Sequence, residues 1–367
     1  MPHFAKRRDK LRSQLRKQKT PALLVTNPTN VGYLTGFTGE DSYLLVTPQH
    51  AIMLSDQRFT TQLETECPDL ELEIRGPGKK MLSLVSKVVA SLQISQLGFE
   101  STSISVALHT ALGGCLAQCE LVATDGSIEG LRMIKDRGEI ERTRAACDMA
   151  RRAFEVVRAS LVPEMTELEV AADLEYQARR FGGKGMSFPT IVAVGPRSAL
   201  PHASPTSQRL EAANFLLVDW GVNEGLYVSD LTRILVTGKI SAKLRKVYDL
   251  VLKAQLAGIK AIRPGVTCHA VDKAARDVIA KAGYGKHFGH ALGHGTGLEV
   301  HEAPRLAGGK GRAAAEILQP GMIVTVEPGI YLPGWGGVRI EDDILVTRTG
   351  HEVLTSVPKQ LEQCLVG

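Results

Sequence analysis

Four apolar runs in the second half of this 367-residue chain each carry a carboxylate where a buried β-strand ordinarily has an aliphatic side chain. They are FLLVD ending at Asp219, VSDLTRILV with Asp230, MIVTVE ending at Glu327, and GGVRIEDDILV with Glu341. Runs this apolar read as strands. An acid inside one is costly to bury unless it is paired or bound to a metal; otherwise it must sit at a strand end in water. Between Asp219 and Asp230, VNEG supplies turn chemistry, so a hairpin can set both acids on one face. In GGVRIE, period-two alternation sends Arg339 and Glu341 to one face, either as a surface ion pair or as part of a site. Four carboxylates gathered in one site repel and take up protons unless cations neutralise them. Two divalent ions, about 3.5–4 Å apart, match four negative charges with four positive ones.

The stretch HFGHALGHGTGLEVHE, His287 to Glu302, holds four of the chain's ten histidines, set among glycines. Taken alone it is a glycine-rich loop with surface imidazoles. Beside four acids, His294 reads as a nitrogen ligand, because imidazole with carboxylates suits Mn, Co, Fe or Zn. The glycines let the backbone approach closely, and His290 and His301 are left as hydrogen-bonding groups beside the metals. HALGH is not the HExxH helix of zinc peptidases, since Ala291 stands where the glutamate belongs.

The first third alternates short apolar runs (ALLVT, SYLLVT, AIMLSD, ELEIR, QLGFES) with helical patterns such as KMLSLVSKVVASLQ, which predicts a layered α/β domain. It contains no GxGxxG after a strand and no GxxxxGK[ST], so nucleotide binding has no support. Near residue 125 the texture changes to a turn-rich stretch and then a long amphipathic helix from about Arg137. We place the boundary there, giving an N-terminal α/β domain over 1–128 and a second domain over 129–367. In the second, helices are expected around 137–160, 166–181, 241–262 and 267–281. The expected strands are TIVAVG, NFLLVDWG, LYVSDLTRILVTG, MIVTVEPGIYL and GGVRIEDDILVT. Helices flanking long strands of this kind read as α+β.

Composition excludes several classes. Hydrophobic content of 44% with 23% charge is that of an ordinary soluble globular protein. A net charge of +5, with no finger, RNA-recognition motif or long basic stripe, gives no case for nucleic acid. No apolar run reaches the length of a membrane span. The basic N-terminus lacks the apolar core of a signal peptide; it reads as a solvated helix leading into a strand at Ala22–Thr26 rather than as a transit peptide. The six cysteines form no CxxC pair, as in a reduced, cytoplasmic chain. His109, Cys115 and Cys119 could be three zinc ligands, but their spacing is irregular and no fourth is evident.

The ordered set Asp219 (VDWG), Asp230 (SDLTR), His294 (GHGTGLEVHE), Glu327 (VEPG) and Glu341 (RIED) resembles the metallopeptidases of the pita-bread fold, above all the Xaa-Pro aminopeptidases and prolidases. NPTNVGYLTGFTGEDSYLLV and LSDQRF look like their creatinase-like N-terminal domain, and RMIKDRGEIERTRAA like the opening of their catalytic domain. The resemblance implies a creatinase-like α/β domain followed by an α+β pita-bread catalytic domain. It implies two divalent ions, Mn²⁺ first among them, with Co²⁺, Zn²⁺ or Fe²⁺ as alternatives. Asp219 should chelate one ion, Asp230 and Glu341 bridge the two, and His294 and Glu327 complete the other. His202, in ALPHASP, matches a substrate-side histidine; His290, His301 and Arg339 match further active-site positions, and Glu327 doubles as a proton shuttle. The implied reaction is hydrolysis of the N-terminal Xaa-Pro bond by a metal-bridging hydroxide, in the manner of an aminopeptidase, with Xaa-Pro dipeptidase (prolidase) activity as the alternative. Its substrates are proline-containing peptides, and the implied assembly is a homodimer. Methionine aminopeptidases share the ligands but lack the N-terminal domain. A non-catalytic peptide-binding relative, or a creatinase-like amide hydrolase, fits less well because no ligand is missing. Arg197, in GPRSALPHA, stands where an uncharged residue is common.

Overall fold

The computed structural model describes residues 4–309, 311 and 315–366. The chain divides into two compact units, Met1–Arg132 and Met133–Gly367.

The first unit is built on a six-stranded sheet. Its strands are β1 (Leu23–Val25), β2 (Tyr43–Val46), β3 (Ala51–Asp56), β4 (Glu71–Arg75), β5 (Gln96–Glu100) and β6 (Glu120–Thr124), in the spatial order β4-β3-β2-β1-β5-β6. β1, β2 and β3 pair antiparallel, while β3-β4, β1-β5 and β5-β6 are parallel. The helix Met81–Ser91 packs Leu84, Val85, Val88 and Val89 against Leu24, Leu45, Ile52 and Leu54 of this sheet. Those helix positions recur at the three- and four-residue spacing of one helical face. β6 goes beyond the five apolar runs; of its residues ELVAT, Thr124 alone is buried. Among the described residues no group of His or Cys gathers at Cys115 or Cys119, and the His109 ring packs on Phe99.

The second unit begins with a well-defined start signal. Asp136 caps the helix Arg137–Ser160 in a capping box with Glu139, and Thr166 caps the helix Glu167–Arg180 with Glu169 in the same way. The strands that follow are β7 (Gly185–Met186), β8 (Ile191–Val194), β9 (Phe215–Trp220), β10 (Val222–Asn223) and β11 (Leu231–Val236). β8, β9 and β11 form one antiparallel sheet, with Thr232 opposite Asp219. Leu216, Val218 and Trp220 of β9 face the first helix pair, through Phe154, Val170 and Leu174. Phe215 and Leu217 face the helices Ala242–Ala261 and Cys268–Lys281, through Val247, Val251 and Val271. Both faces of the sheet are therefore buried, which is why these strands read as continuous apolar runs.

The remaining strands are β12 (Gly293–Gly295), β13 (Glu302–Leu306), β14 (Ile323–Val326), β15 (Gly329–Leu332), β16 (Gly336–Arg339), β17 (Asp342–Val346) and β18 (His351–Val353). Two expectations are corrected here. MIVTVEPGIYL is not one strand but two, β14 and β15, interrupted at Glu327 and Pro328; GGVRIEDDILVT is likewise β16 and β17, interrupted at Ile340 and Glu341. The two runs face each other as one long hairpin that changes ladder at the interruption: β14 pairs β17 and β15 pairs β16. Pro328 has no N–H to give to a ladder, so the break falls where the backbone cannot pair. Asp230 also lies just outside its strand, one residue before β11. Among the described residues no helix is long and apolar enough to cross a membrane.

Candidate metal centre

The interruptions in the hairpin place the acids. Glu327 and Glu341 occupy the paired breaks, where a strand has left one sheet and not yet joined the next. Asp219 stands near the end of β9, and Asp230 precedes β11. In register, Asp219 lies opposite Thr232, so Asp230 is its diagonal neighbour on the same face. His294 is the middle residue of β12, whose glycines are required by crowding: a Cβ on Gly293 would lie 2.0 Å from the Thr325 carbonyl oxygen, and one on Gly295 2.2 Å from that of Ala303. All nine residues singled out by the sequence, Asp219, Asp230, His294, Glu327, Glu341, His202, His290, His301 and Arg339, line one cavity of about 880 Å³.

Ligand atoms of Asp230, His294 and Glu341 lie within 4.8 Å of one another. His294 Nε2 is 3.7 Å from Asp230 Oδ2 and 3.4 Å from Glu327 Oε1. The proton placement on His294 follows from its surroundings. Nδ1 faces the Gly295 carbonyl oxygen at 3.0 Å and must donate to it. Burial pushes the imidazole pKa down to about 4, so at neutral pH it carries that one proton only. Nε2 therefore points a lone pair at acidic oxygens, a contact that needs either a proton on the acid or a cation between them. Asp219 gives a second sign. Its Oδ2 is held by Arg339 Nη2, while its buried Oδ1 has no hydrogen-bond partner. A buried acceptor left open beside other acids is what a metal ligand looks like without its ion.

The electrostatics agree. Burial, then the neighbouring carboxylates Glu341 and Asp219, raise the pKa of Asp230 well above the ordinary value; burial, then Glu327 and Asp219, do the same for Glu341. Burial pushes Glu327 up to about 8, against the opposing pull of Arg339. Without cations this group would hold protons at neutral pH, and divalent ions would release them.

Several residues that the sequence reading passed over hold the acids in place. The Thr232 hydroxyl donates to Glu341 Oε2 at 2.6 Å and accepts from Arg339 Nε at 3.0 Å. Asp343 Oδ2 accepts the Asp230 N–H at 2.9 Å. The Tyr331 hydroxyl lies 2.9 Å from both His290 Nε2 and Arg339 Nη1. His290 Nδ1 faces the Ala291 carbonyl at 2.8 Å, and burial lowers this histidine to about 4. Nδ1 thus keeps the proton, Nε2 accepts from Tyr331, and Tyr331 accepts from Arg339. Both ring nitrogens of His290 are engaged in this chain, whereas His202 and His301 are exposed on the cavity wall. The His301 ring lies edge-on to His294, with centroids 4.4 Å apart. Thr232, between Leu231 and Arg233, gives no sign of a role in sequence, and Tyr331 in GIYL reads as an ordinary strand residue.

Comparison with known proteins gives the family of the chain. Residues 141–348 match the metallopeptidase family M24, and residues 7–134 match the Creatinase/Prolidase N-terminal domain. The chain is 36% identical to an Xaa-Pro dipeptidase of Pyrococcus horikoshii, over 94% of this chain and 95% of that one. Its fold is similar to that of the Xaa-Pro dipeptidase from Bacillus anthracis (TM-score 0.93, 38% identity, 98% of this chain and 99% of the other). It is also similar to the X-Pro aminopeptidase from Thermotoga maritima MSB8 (TM-score 0.87, 34% identity, 95% and 99%). The fold is thus a creatinase-like N-terminal domain joined to a pita-bread catalytic domain, and the family implies divalent metal ions. The chain belongs to metallopeptidase family M24 and is a hydrolase.

Proposed function

We propose that this protein cleaves the N-terminal Xaa-Pro bond of peptides as a metal-dependent Xaa-Pro aminopeptidase. The observation that carries the metal dependence is the His294 lone pair facing Glu327 Oε1 at 3.4 Å, with Asp219 Oδ1 open nearby. Asp219, Asp230, His294, Glu327 and Glu341 would hold two divalent ions, with Mn²⁺ the proposed pair. Bound ions of this kind supply Lewis-acid polarisation of a carbonyl and a water acidic enough to attack it near neutral pH.

The chain's own residues do the rest. Arg339 fixes Asp219 through Nη2 and Thr232 through Nε, so the acid on β9 and Glu341 are oriented by one guanidinium. Glu327 is the carboxylate suited to pass a proton to the departing proline nitrogen, which as part of a tertiary amide has no N–H of its own. His202 and His301 face the cavity with side chains exposed and can donate to the peptide. His290, with both nitrogens engaged, serves instead to hold Tyr331 and Arg339. Phe188, Ile191, Pro201 and Val300 make the apolar part of the wall against which a pyrrolidine ring can pack.

One observation favours the second reading, an Xaa-Pro dipeptidase. Arg305 pairs across the ladder with His294 and lines the same cavity, where its charge could receive a proline carboxylate. Arg339 cannot serve that purpose, being buried against Asp219. The cavity volume weighs the other way, since about 880 Å³ leaves room beyond a dipeptide. Mn²⁺-loaded protein given Xaa-Pro and Xaa-Pro-Xaa, with and without chelator, decides between them. Chelator-sensitive release of the first residue from the tripeptide is expected. Cleavage of the dipeptide alone selects the second reading, and cleavage of neither rejects both. The six free cysteines support the cytoplasm as its place of action, and the resemblance supports a homodimer, which light scattering would detect.

A further inference from the structure

One wall of the cavity is a loop contributing Pro201, His202, Ala203, Ser204 and Pro205. His202 is exposed and makes no hydrogen bond among the described residues. Where its imidazole stands is therefore decided by the backbone beneath it. That backbone is held on both sides by a single carboxylate. Glu167, fully buried at the start of its helix, accepts the Val194 N–H at 2.8 Å and Arg197 Nε at 2.9 and 3.0 Å, all from residues before the loop. It also accepts the Thr206 N–H at 2.9 Å and the Thr206 hydroxyl at 2.8 Å, from just beyond the loop. Arg197 then reaches across with Nη2 to the Ser204 carbonyl at 2.6 Å, so its guanidinium spans the segment that presents His202.

A second tether aligns the same segment with the site. The Ser198 hydroxyl donates to the Gly195 carbonyl at 2.5 Å and accepts the Gly337 N–H at 2.7 Å, in the strand that carries Arg339. A carboxylate as buried as Glu167 requires a full set of donors and a compensating charge. Among the described residues, Arg197 supplies the only charged donor that Glu167 receives. The arginine at a position where an uncharged residue is common thereby gains a physical role.

We propose that Arg197 is a positioning residue for substrate binding: together with Glu167 it clamps the loop over residues 201–205 from both sides and so sets where His202 stands in the cavity. The part concerning substrate rests on the peptidase reading; the clamp itself rests on the contacts alone. A fork with two separated nitrogen donors can hold Glu167 and Ser204 at once, and a single ammonium cannot.

The test uses the full-length protein with Arg197→Ala, and with Arg197→Lys, which keeps a cation beside Glu167 in case the alanine variant fails to fold. Hydrogen exchange should rise about tenfold over residues 198–206 in both variants, while the strand Phe215–Trp220 exchanges as before. With an Xaa-Pro-Xaa tripeptide, KM should rise about tenfold, kcat should change less, and bound metal should be unchanged; combined with His202→Ala, the variant should be no worse than His202→Ala alone. Unchanged exchange in the loop would overturn the clamp. A loss that multiplies with that of His202→Ala would overturn the link to His202. Failure of the wild-type protein to cleave any Xaa-Pro peptide would count against the peptidase reading, and the exchange measurement would still decide the clamp.

Discussion

Glu341 and Asp342 are neighbours in sequence, both buried, and opposite in fate. Asp342 faces the helix Ala242–Ala261, where the protein surrounds it with its own donors. Its Oδ1 accepts from Arg233 and Thr355, each at 2.7 Å, and its Oδ2 from Gln255 at 2.7 Å and Lys359 at 2.5 Å. Burial alone would raise its pKa, but Arg233 and Lys359 outweigh burial and lower it. Among the described residues Glu341, one residue earlier, accepts a side-chain hydrogen bond from the Thr232 hydroxyl alone; burial, Glu327 and Asp219 raise its pKa against the pull of Arg339. One carboxylate is neutralised from within the chain; the other is left for a cation from outside. The break between β16 and β17 is where the two part: Glu341, outside either strand, lines the cavity, and Asp342, the first residue of β17, joins the structural cluster. The two are also joined, since Arg233 Nη1 donates to the Glu341 carbonyl at 2.5 Å.

The largest expected effects separate the two regions. Glu341→Ala or His294→Ala should abolish metal-dependent hydrolysis while the chelated protein keeps its melting temperature, because a repelling or unneeded group has been removed. Asp342→Ala should do the reverse. It leaves Arg233 and Lys359 buried without their partner, and should lower folding stability by about 3–5 kcal/mol in denaturant titrations with or without metal. Equal stability losses for Glu341→Ala and Asp342→Ala would erase the distinction.

The pH dependence sharpens it. In the metal-free protein Glu327 holds its proton up to about 8, whereas an unfolded glutamate releases it near 4.3. The folded state then binds the extra proton, so stability falls as pH rises through that interval. His290 and His294, held near 4 when folded and about 6.5 when unfolded, act oppositely, but only below about 6.5. Between pH 6.5 and 8 the chelated protein should therefore lose thermal stability, and the gain on adding Mn²⁺ should be larger at pH 8. Thermal melts at both values, with and without the ion, check this; a metal-induced gain that is the same at both would speak against buried, proton-holding carboxylates.

Smaller effects should follow from the supporting residues. Thr232→Val removes the hydroxyl that links Glu341 to Arg339, and should weaken metal affinity about 10- to 100-fold with little change in fold, as read by calorimetric titration. Tyr331→Phe breaks the chain from His290 to Arg339 one step further from the acids. It should cost about 1 kcal/mol, a fivefold loss in kcat/KM.

Much of this contrast is legible in the sequence. Acids inside apolar runs are rare enough to mark the site, and the glycines around His294 signal the close backbone approach that the structure contains. What the runs conceal is their interruption. MIVTVEPGIYL and GGVRIEDDILVT stay apolar across the break because both halves are buried, and the change of ladder is a tertiary event; Pro328 is the one local sign of it. Asp342 and Glu341 cannot be told apart by composition, since the difference lies in Gln255, Thr355 and Lys359, which are distant in sequence. The role of Arg197 is hidden for the same reason: its partner Glu167 belongs to a helix thirty residues earlier.

The most direct test is to count the ions. Native mass spectrometry of the wild-type protein after equilibration with Mn²⁺, set beside Glu341→Ala and Asp230→Ala, reads occupancy independently of any substrate. Two ions per folded chain in the wild type, and fewer than two in each variant, are the predicted result. A folded wild-type chain that binds none, or variants that still hold two, would contradict a cavity built for cations from outside the chain.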